Sequence, residues 1–471
     1  MKILNSILLI LPMLSCVAQS TTHKVMQQDK HTQPNIVFIF ADDLRADTLG
    51  IVDEKIHTPN LDALAKKARV FNNAFSVLAV CSPSRATILT GRYPSSHGVT
   101  TYGDTPIRPG NPSFVSALKK AGYQTAVTGK WHLGNEPKEL GFDVADIFHS
   151  NGPWYGREVI ENGQHKIYPG FIETWSVDRS VDFIEQASKK KSPFFLWYNT
   201  QVPHMDDKFS WPATEQAMAY YDQDTVPLPV SYPPDHRATG KPPYLKHSRS
   251  YTRAMDVYGY KDENKLRAHI HDYYAAVTDM DKEIGRLLNK LDILGLSDNT
   301  IVIFMSDNGW FLGEHGLTSK VLAYKASMQV PLFISGKGIE PSVRDELVIN
   351  TDMAPFILDL AGVSVNYRLD GRSLTPLLGA EKSKWRNAFY YESPTPQLVP
   401  RSFFAIRDEQ YLYIETFIDN TAKQPEFIEL YDVKNDPYEL KNLAITGQNK
   451  TLLAHYAEQL KRARLDLGTL Q

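Results

Sequence analysis

The chain has two cysteines, Cys16 and Cys81, and the second lies in Cys81-Ser82-Pro83-Ser84-Arg85, a stretch whose residue types could do chemistry. Pro83 suits the first turn of a helix, where its missing N–H costs nothing, and Ala86, Ile88 and Leu89 continue that helix. Cys81 would then stand at the positive end of a helix dipole, where an anion is favoured. Arg85 follows one turn later and can reach back. A thiol so placed could be a nucleophile of lowered pKa, or only a small buried residue. Two acidic pairs add a second ingredient. The apolar run 35–40 ends in Ala41-Asp42-Asp43, and the run 300–305 ends in Ser306-Asp307-Asn308-Gly309. Asp42, Asp43, Asp307 and Asn308 are oxygen donors of the kind that a hard cation such as Ca²⁺ takes. One acidic pair alone is weak evidence, because carboxylates also cap helices and start turns. Two pairs at the ends of two core strands favour a metal.

Elements must bring these residues together. Unbroken apolar runs read as strands buried on both faces of a parallel sheet, with shorter strands at 125–128, 194–198 and 330–334. Between them Thr58-Pro59-Asn60 leads into Leu61, Leu64, Ala65 and Ala68, and Val277, Met280, Ile284, Leu287, Leu288 and Leu291 keep a helical period. Strands alternating with helices predict an α/β sheet covered on both faces. Ligands of such sheets sit at the carboxyl ends of the strands, where both acidic pairs fall. Residues 205–265, rich in Pro, Tyr, Asp and Lys, read as a long insertion over the sheet and a place for substrate contacts. Beyond about 378 the pattern becomes a hairpin (402–406, 411–417) and a closing helix (452–465). The expected organisation is therefore a catalytic α/β domain over 34–378 and a smaller α+β domain over 379–471.

Composition is that of a globular protein: 471 residues, 42% hydrophobic and 22% charged. A net charge of −3 gives no general attraction to nucleic acid or anionic membranes. Lys2, an apolar run to Leu14 and small residues after it read as a signal peptide over 1–18, too short to span a membrane. Met13-Leu14-Ser15-Cys16 resembles a lipobox, which would make Cys16 a lipidated first residue; ordinary cleavage after Cys16-Val17-Ala18 is the alternative. Residues 19–33 read as a polar tether. Export to the periplasm follows, with the outer membrane reached only through that anchor. With Cys16 lipidated or removed, Cys81 has no disulfide partner.

The wider pattern resembles the type I sulfatases of the alkaline phosphatase superfamily. Cys81-Ser82-Pro83-Ser84-Arg85-Ala86-Thr87-Ile88-Leu89-Thr90-Gly91-Arg92 looks like their signature. Also similar are Asp42-Asp43, Gly129-Lys130-Trp131-His132, Pro203-His204, Asp307-Asn308-Gly309, His315-Gly316-Leu317 with Lys320, and Glu429-Leu430-Tyr431-Asp432 with Asp436-Pro437. The resemblance implies an alkaline-phosphatase-like fold, a mixed and mostly parallel sheet sandwiched by helices. It implies a maturation enzyme that recognises Cys-x-Pro-x-Arg and oxidises Cys81 to formylglycine. It implies one Ca²⁺ held by Asp42, Asp43, Asp307, Asn308 and the modified Cys81. Related phosphatases hold two zinc ions with Asp and His ligands, and Asn308-Gly309 departs from that pattern. In the family, one hydroxyl of the hydrated aldehyde attacks sulfur and the other then expels sulfate. Arg85 and His132 match the residues that hold and deprotonate the diol, and Lys130 and Lys320 those that neutralise sulfate oxygens. His204, with Lys320, matches the general acid on the leaving oxygen. The implied substrate is a sulfated carbohydrate or polysaccharide fragment. Hydrolysis of phosphate or phosphonate esters on the same fold is the alternative, and a glycan-binding lipoprotein without activity the third.

Each motif also has a plainer reading. Lys130 and His132 beside Trp131 could form a solvated face with an aromatic anchor, and His204 could be a loop histidine. His315 is read as shaping the loop that carries Lys320, and Arg45 and Asp47 as a local turn or ion pair. Trp154, Tyr155, Arg157, Trp211 and Arg253 could form sugar subsites or anchor loops. His269 and His271 are left as surface or core.

Overall fold

The computed structural model describes residues 33–232, 239–379 and 383–470. The leader with Cys16, and the tether up to residue 32, lie outside the described residues. Ten strands form the main sheet: β1 (Asn35–Asp42), β2 (Arg69–Phe71), β3 (Gln124–Lys130), β4 (Val144–Phe148), β5 (Tyr155–Glu161), β6 (Gln164–Phe171), β7 (Phe194–Pro203), β8 (Thr300–Ser306), β9 (Leu332–Ser335) and β10 (Ser342–Arg344). Their spatial order is β10-β2-β9-β8-β1-β7-β3-β4-β5-β6. The central strands β8, β1, β7, β3 and β4 all run parallel, while β9 and the β5–β6 hairpin pair antiparallel.

Strand β1 shows why the sheet is covered twice. All eight of its residues are buried, and side chains alternate between faces. Val37, Ile39 and Ala41 enter one core with helices α1 (Pro59–Lys66), α3 (Ile172–Ala187) and α4 (Glu263–Ile293). Ile36, Phe38 and Phe40 enter the other core, with α2 (Cys81–Thr90). Helix α2 is buried along its whole length, so its one strongly charged side chain, Arg85, needs partners inside the protein.

The described part of the insertion, 205–232 and 239–262, is mostly short turns rather than sheet or long helix, and it ends where Asp262 caps α4 by accepting from the Asn264 N–H. Four antiparallel strands, β11 (Ala388–Ser393), β12 (Ser402–Asp408), β13 (Tyr411–Phe417) and β14 (Phe427–Asp432), form a second sheet. Helix α5 (Lys450–Asp466) packs on it through Tyr456 and Leu460. That third core also takes in Phe75, Val77 and Val80, which lead into α2, and Leu317 and Val321, which flank Lys320. The smaller sheet thus buttresses two chemically important loops. Among the described residues no helix is long and apolar enough to cross a membrane.

Candidate active site

Register brings the two acidic pairs together. Strands β1 and β8 are neighbours with Ala41 opposite Ser306, so Asp42-Asp43 and Asp307-Asn308 leave the sheet side by side. The bend after β1 is held by cross-strand bonds: the Asp43 N–H donates to Asp307 Oδ1 at 3.0 Å and the Leu44 N–H to Ser306 Oγ at 3.0 Å. Asp43 itself has φ of 64°, a left-handed conformation that acidic residues tolerate better than most. Tyr273 of α4 clamps it, donating to the Asp43 carbonyl at 2.8 Å and accepting from the Arg45 N–H at 3.1 Å.

Cys81 begins α2, with Val80 as the capping residue, and faces this cluster. Its thiol donates to Asp42 Oδ1 at 3.1 Å, and Lys320 Nζ lies 2.7 Å from Sγ. Ligand atoms of Asp42, Asp43, Cys81 and Asp307 all lie within 4.8 Å of one another. Lys130, at the end of β3, donates to Asp42 Oδ2 and to Asn151 Oδ1. The residue before it must be glycine: Gly129 has φ of 84°, and a Cβ there would sit 1.9 Å from the Asn199 carbonyl oxygen. Lys320 donates to Asp43 Oδ1. Arg85 donates to the Lys130 carbonyl at 2.8 Å, and its Nη2 lies 4.0 Å from both Asp42 Oδ2 and Asp307 Oδ2. His204, beyond β7, places Nε2 3.5 Å from Asp43 Oδ2 while its Nδ1 meets the Met205 carbonyl at 2.8 Å. A carbonyl only accepts, so Nδ1 carries the proton and Nε2 is left for the site.

The electrostatics follow from burial and crowding. Burial raises the Asp42 carboxyl, but Lys130 first, then the His204 ring, Lys320 and Arg85 outweigh it and hold Asp42 well below the usual range. Burial and then the charges of Asp42 and Asp43 push Asp307 well up, despite Lys320. Burial also pushes up the Cys81 thiol, with Asp42 adding to the effect. An unmodified Cys81 is therefore a poor thiolate, and the reading of a low-pKa cysteine nucleophile is not supported. Burial works against the Lys320 ammonium, yet Asp43 and its neighbours raise it well above normal. Burial depresses His132 well below normal and takes His204 down to about 4, against the pull of Asp43.

Four residues keep buried polar atoms without partners. Asp43 Oδ2, Asp307 Oδ2 and Asn308 Oδ1 are buried acceptors with no hydrogen-bond donor, and Arg85 Nε and Nη2 are buried donors with no acceptor. The Asn308 amide is oriented by its donors, because Nδ2 is spent on Asp43 Oδ1 at 2.6 Å and the Gly309 carbonyl at 2.8 Å. Orphaned oxygens beside carboxylates suit a hard divalent cation, and an orphaned guanidinium suits an anion. The donor set fits both at once.

Nine of the ten residues given chemical roles converge: Asp42, Asp43, Cys81, Arg85, Lys130, His204, Asp307, Asn308 and Lys320 are linked in one network by these contacts. His132 is buried with Nδ1 unpartnered, and the charges bearing on it are those of Lys130, Arg85, Asp42 and Lys320. Lys130 and His132 are thus not a solvated face; Trp131 between them is buried against Phe142 and Trp197. Arg45 pairs with Asp47 and Glu314, both at 2.7 Å, as a local ion pair. His315 is buried against Tyr324, and the half-buried His269 packs among Trp211, Tyr258 and Tyr260.

Two of the suggested sugar contacts are not free to make them. Trp154 and Trp211 are 1% and 3% exposed, and their indole N–H groups donate to the His204 and Pro203 carbonyls. They anchor the His204 loop. Arg157 is buried over the Phe148 ring. Tyr155 and Arg253 remain accessible. Sequence reading missed Asn151, whose exposed side chain joins Lys130 to a cleft of about 560 Å³ lined also by His149, Arg157, Glu158, His165 and Asp207. It also missed Tyr391 of β11. That hydroxyl accepts from the Ala79 N–H at 3.0 Å and donates to the Val321 carbonyl at 2.5 Å, tying the Cys81 and Lys320 loops together.

Comparison with known proteins agrees with this geometry. The sulfatase family profile matches residues 34–363, and a profile described as N-sulphoglucosamine sulphohydrolase, C-terminal, matches 313–466. The chain belongs to the sulfatase family. It is 31% identical to an N-acetylglucosamine-6-O-sulfatase of Bacteroides thetaiotaomicron, over 88% of this chain and 84% of that protein. It is 28% identical to an arylsulfatase of Clostridium perfringens, over 89% and 92%. A solved structure of a protein in complex with its substrate D-glucosamine-2-N,6-O-disulfate superposes with a TM-score of 0.81 at 27% identity, over 93% of this chain and 98% of that one. A phosphonate monoester hydrolase of Agrobacterium radiobacter shares the fold, with a TM-score of 0.74 at 21% identity over 92% and 96%.

Proposed function

We propose that this protein hydrolyses sulfate esters of a sulfated carbohydrate, with Cys81 matured to formylglycine and one Ca²⁺ held by Asp42, Asp43, Asp307 and Asn308. The observation that carries the reading is the setting of position 81. It sits at a helix start beside Asp42 and Lys320, with a buried guanidinium from the next helical turn whose Nε and Nη2 have no acceptor. When bound, the calcium ion and the hydrated aldehyde supply a polarised oxygen nucleophile and screen the negative charge of the ester. The chain's own residues do the rest. Arg85 holds the group at position 81 and offers two donors to an anion. Lys130 and Lys320 neutralise the non-bridging oxygens, their ammoniums fixed by Asp42 and Asp43. His132, kept neutral by burial, can accept a proton from position 81. Lys320 and His204 keep the largest side-chain exposure of the central set, 8% and 12%, and so stand at the mouth where the alcohol departs. The cleft beside Asn151 receives the reacting sugar.

Support for carbohydrate comes from the two glucosamine-related proteins above and from this polar cleft. Support for sulfate over phosphonate comes from the identities, since the phosphonate hydrolase shares only the fold. From the leader we also assign export to the periplasm, with Cys16 as the candidate lipid anchor; labelled palmitate that fails to appear on the exported chain removes the anchor. The central test is mass spectrometry of the peptide containing position 81 in active protein, with sulfate and phosphate release from matched aryl esters. A fully active preparation carrying only the thiol sinks the mechanism, and faster phosphate release selects the alternative chemistry.

A further inference from the structure

The loop that follows His204 presents an aromatic ring where the fold has no use for one. Residues 203–211 form a tight, bolted turn. The Asp206 carboxylate accepts from the Lys208 and Ser210 N–H groups and from Ser210 Oγ, at 3.0, 2.9 and 3.0 Å, and the Asp206 N–H donates to the Ser210 carbonyl at 2.9 Å. Trp154 and Trp211 fasten its stem. At the tip stands Phe209, with φ of 60° and 51% exposed. A bulky residue in the left-handed region is an outlier that glycine or asparagine would relieve, and an exposed phenyl gains nothing from the core. Arg253 lies over one face of the ring, its Cζ 4.6 Å from the centroid. It opens a π-helical segment, Arg253–Val257, a distortion that recurs at functional sites. Ala254 and Met255 root the segment in the core, and the Tyr258 hydroxyl reaches Met205 Sδ at 3.3 Å. Among the described residues the guanidinium makes no hydrogen bond or ion pair, and Asp256, three residues on, does not take it.

This pairing has a clear ligand chemistry. The open face of a phenyl ring stacks on the apolar C–H face of a pyranose. A guanidinium over the other side, its Cζ 4.6 Å from the ring centroid, offers a fork of donors to a carboxylate or sulfate. Phe209 is five positions on from His204, so the two lie within about 17 Å even on an extended chain, and the turn folds the loop back. Asp207 on the same loop lines the cleft beside Asn151. One loop therefore both lines that cleft, through Asp207, and carries the Phe209 ring two residues further on. We propose that Phe209 and Arg253 form a subsite for a second, anionic sugar linked to the one being desulfated.

The proposal rests on the sulfated-carbohydrate reading, and its test separates the two. Binding is measured by calorimetry on the Ca²⁺-loaded Cys81→Ala chain, which cannot turn over. The probes are 6-O-sulfated N-acetylglucosamine alone, the same sugar linked to glucuronate, and the same sugar linked to galactose. The glucuronate disaccharide is expected to bind about tenfold more tightly than the monosaccharide, a 1.4 kcal/mol difference. Phe209→Ala removes the advantage of both disaccharides, while Arg253→Gln removes only the preference for glucuronate over galactose. A disaccharide that binds no better than the monosaccharide overturns the proposal, as does a Phe209→Ala chain that weakens all three probes equally. Sulfate release by the matured chain is scored separately: its failure would remove the activity and leave the binding pattern standing.

Discussion

Asn308 shows how much one side chain decides. Its amide nitrogen is spent on Asp43 and the Gly309 carbonyl, so the oxygen is the only part left to meet a ligand, and it is buried without a donor. Calcium at that oxygen and at the orphaned oxygens of Asp43 and Asp307 would satisfy all three. A cation that binds only the folded chain stabilises it by about 4 kcal/mol at a thousandfold excess over Kd. Chelator treatment is therefore expected to lower the thermal midpoint of the unmodified Cys81 chain, and added Ca²⁺ to restore it. Asn308→Ala should weaken the Ca²⁺ response by at least about tenfold. A midpoint indifferent to chelator and Ca²⁺ argues that the orphaned oxygens are not a metal site. Asn308 could be read in the sequence because it follows an apolar strand directly. Asn151 could not. Its tie joins a loop to Lys130 at the end of β3, and nothing in the local pattern of residues 149–153 announces it.

At the scale of elements, hydrophobic pattern located what is regular and missed what is held by single polar contacts. Strands β1 and β8 are visible in sequence as unbroken apolar runs, α4 by its helical period, and α2 by Pro83 in its first turn. The predicted 402–406 and 411–417 hairpin is present as β12 and β13. The β5–β6 hairpin was not expected although Asn162-Gly163, at φ of 50° and 75°, is the strongest short hairpin signal; β6 has no buried residue and β5 only Arg157 and Val159, too few to read as an alternation. The contact of α4 with the end of β1 is another such case. Leucine spacing shows that α4 packs, but not that Tyr273 fastens the backbone on both sides of Asp43–Arg45. Tyr273→Phe strips two buried backbone groups of their partner, at a cost of about 1–3 kcal/mol. We expect denaturant unfolding to show that loss and Ca²⁺ affinity to fall by about 10–100-fold, with the aromatic packing on Trp211 retained. Lost stability with unchanged Ca²⁺ affinity would mean that Tyr273 is only a core residue.

The whole molecule is joined at the seam where the smaller sheet meets the catalytic one, and β11 carries two adjacent residues with different duties there. Tyr391 ties the loops of Cys81 and Lys320, so Tyr391→Phe should lower kcat for an aryl sulfate more than it changes KM; a pure KM effect would count against this role. Glu392 is the structural partner. It is buried, accepts from the Ser95 N–H at 2.7 Å and the Tyr390 hydroxyl at 3.2 Å, and burial raises its carboxyl to about 7. The sign of its pH effect follows from proton counting. Between the unfolded value near 4.5 and about 7, the folded chain holds a proton that the unfolded chain has released. Stability from this group is then complete below pH 4.5 and is lost as pH rises through about 7. Glu392→Gln keeps an acceptor for Ser95 and removes the titration. Parent and variant unfolding free energies, measured from pH 5 to 8, should diverge steadily in favour of the variant and run parallel above about 7.5. Buried Glu173, also raised to about 7, is common to both chains and cancels in the difference. Parallel curves throughout would show that Glu392 ionises at the seam without penalty, and that the two sheets are joined by something other than a buried, protonated carboxyl.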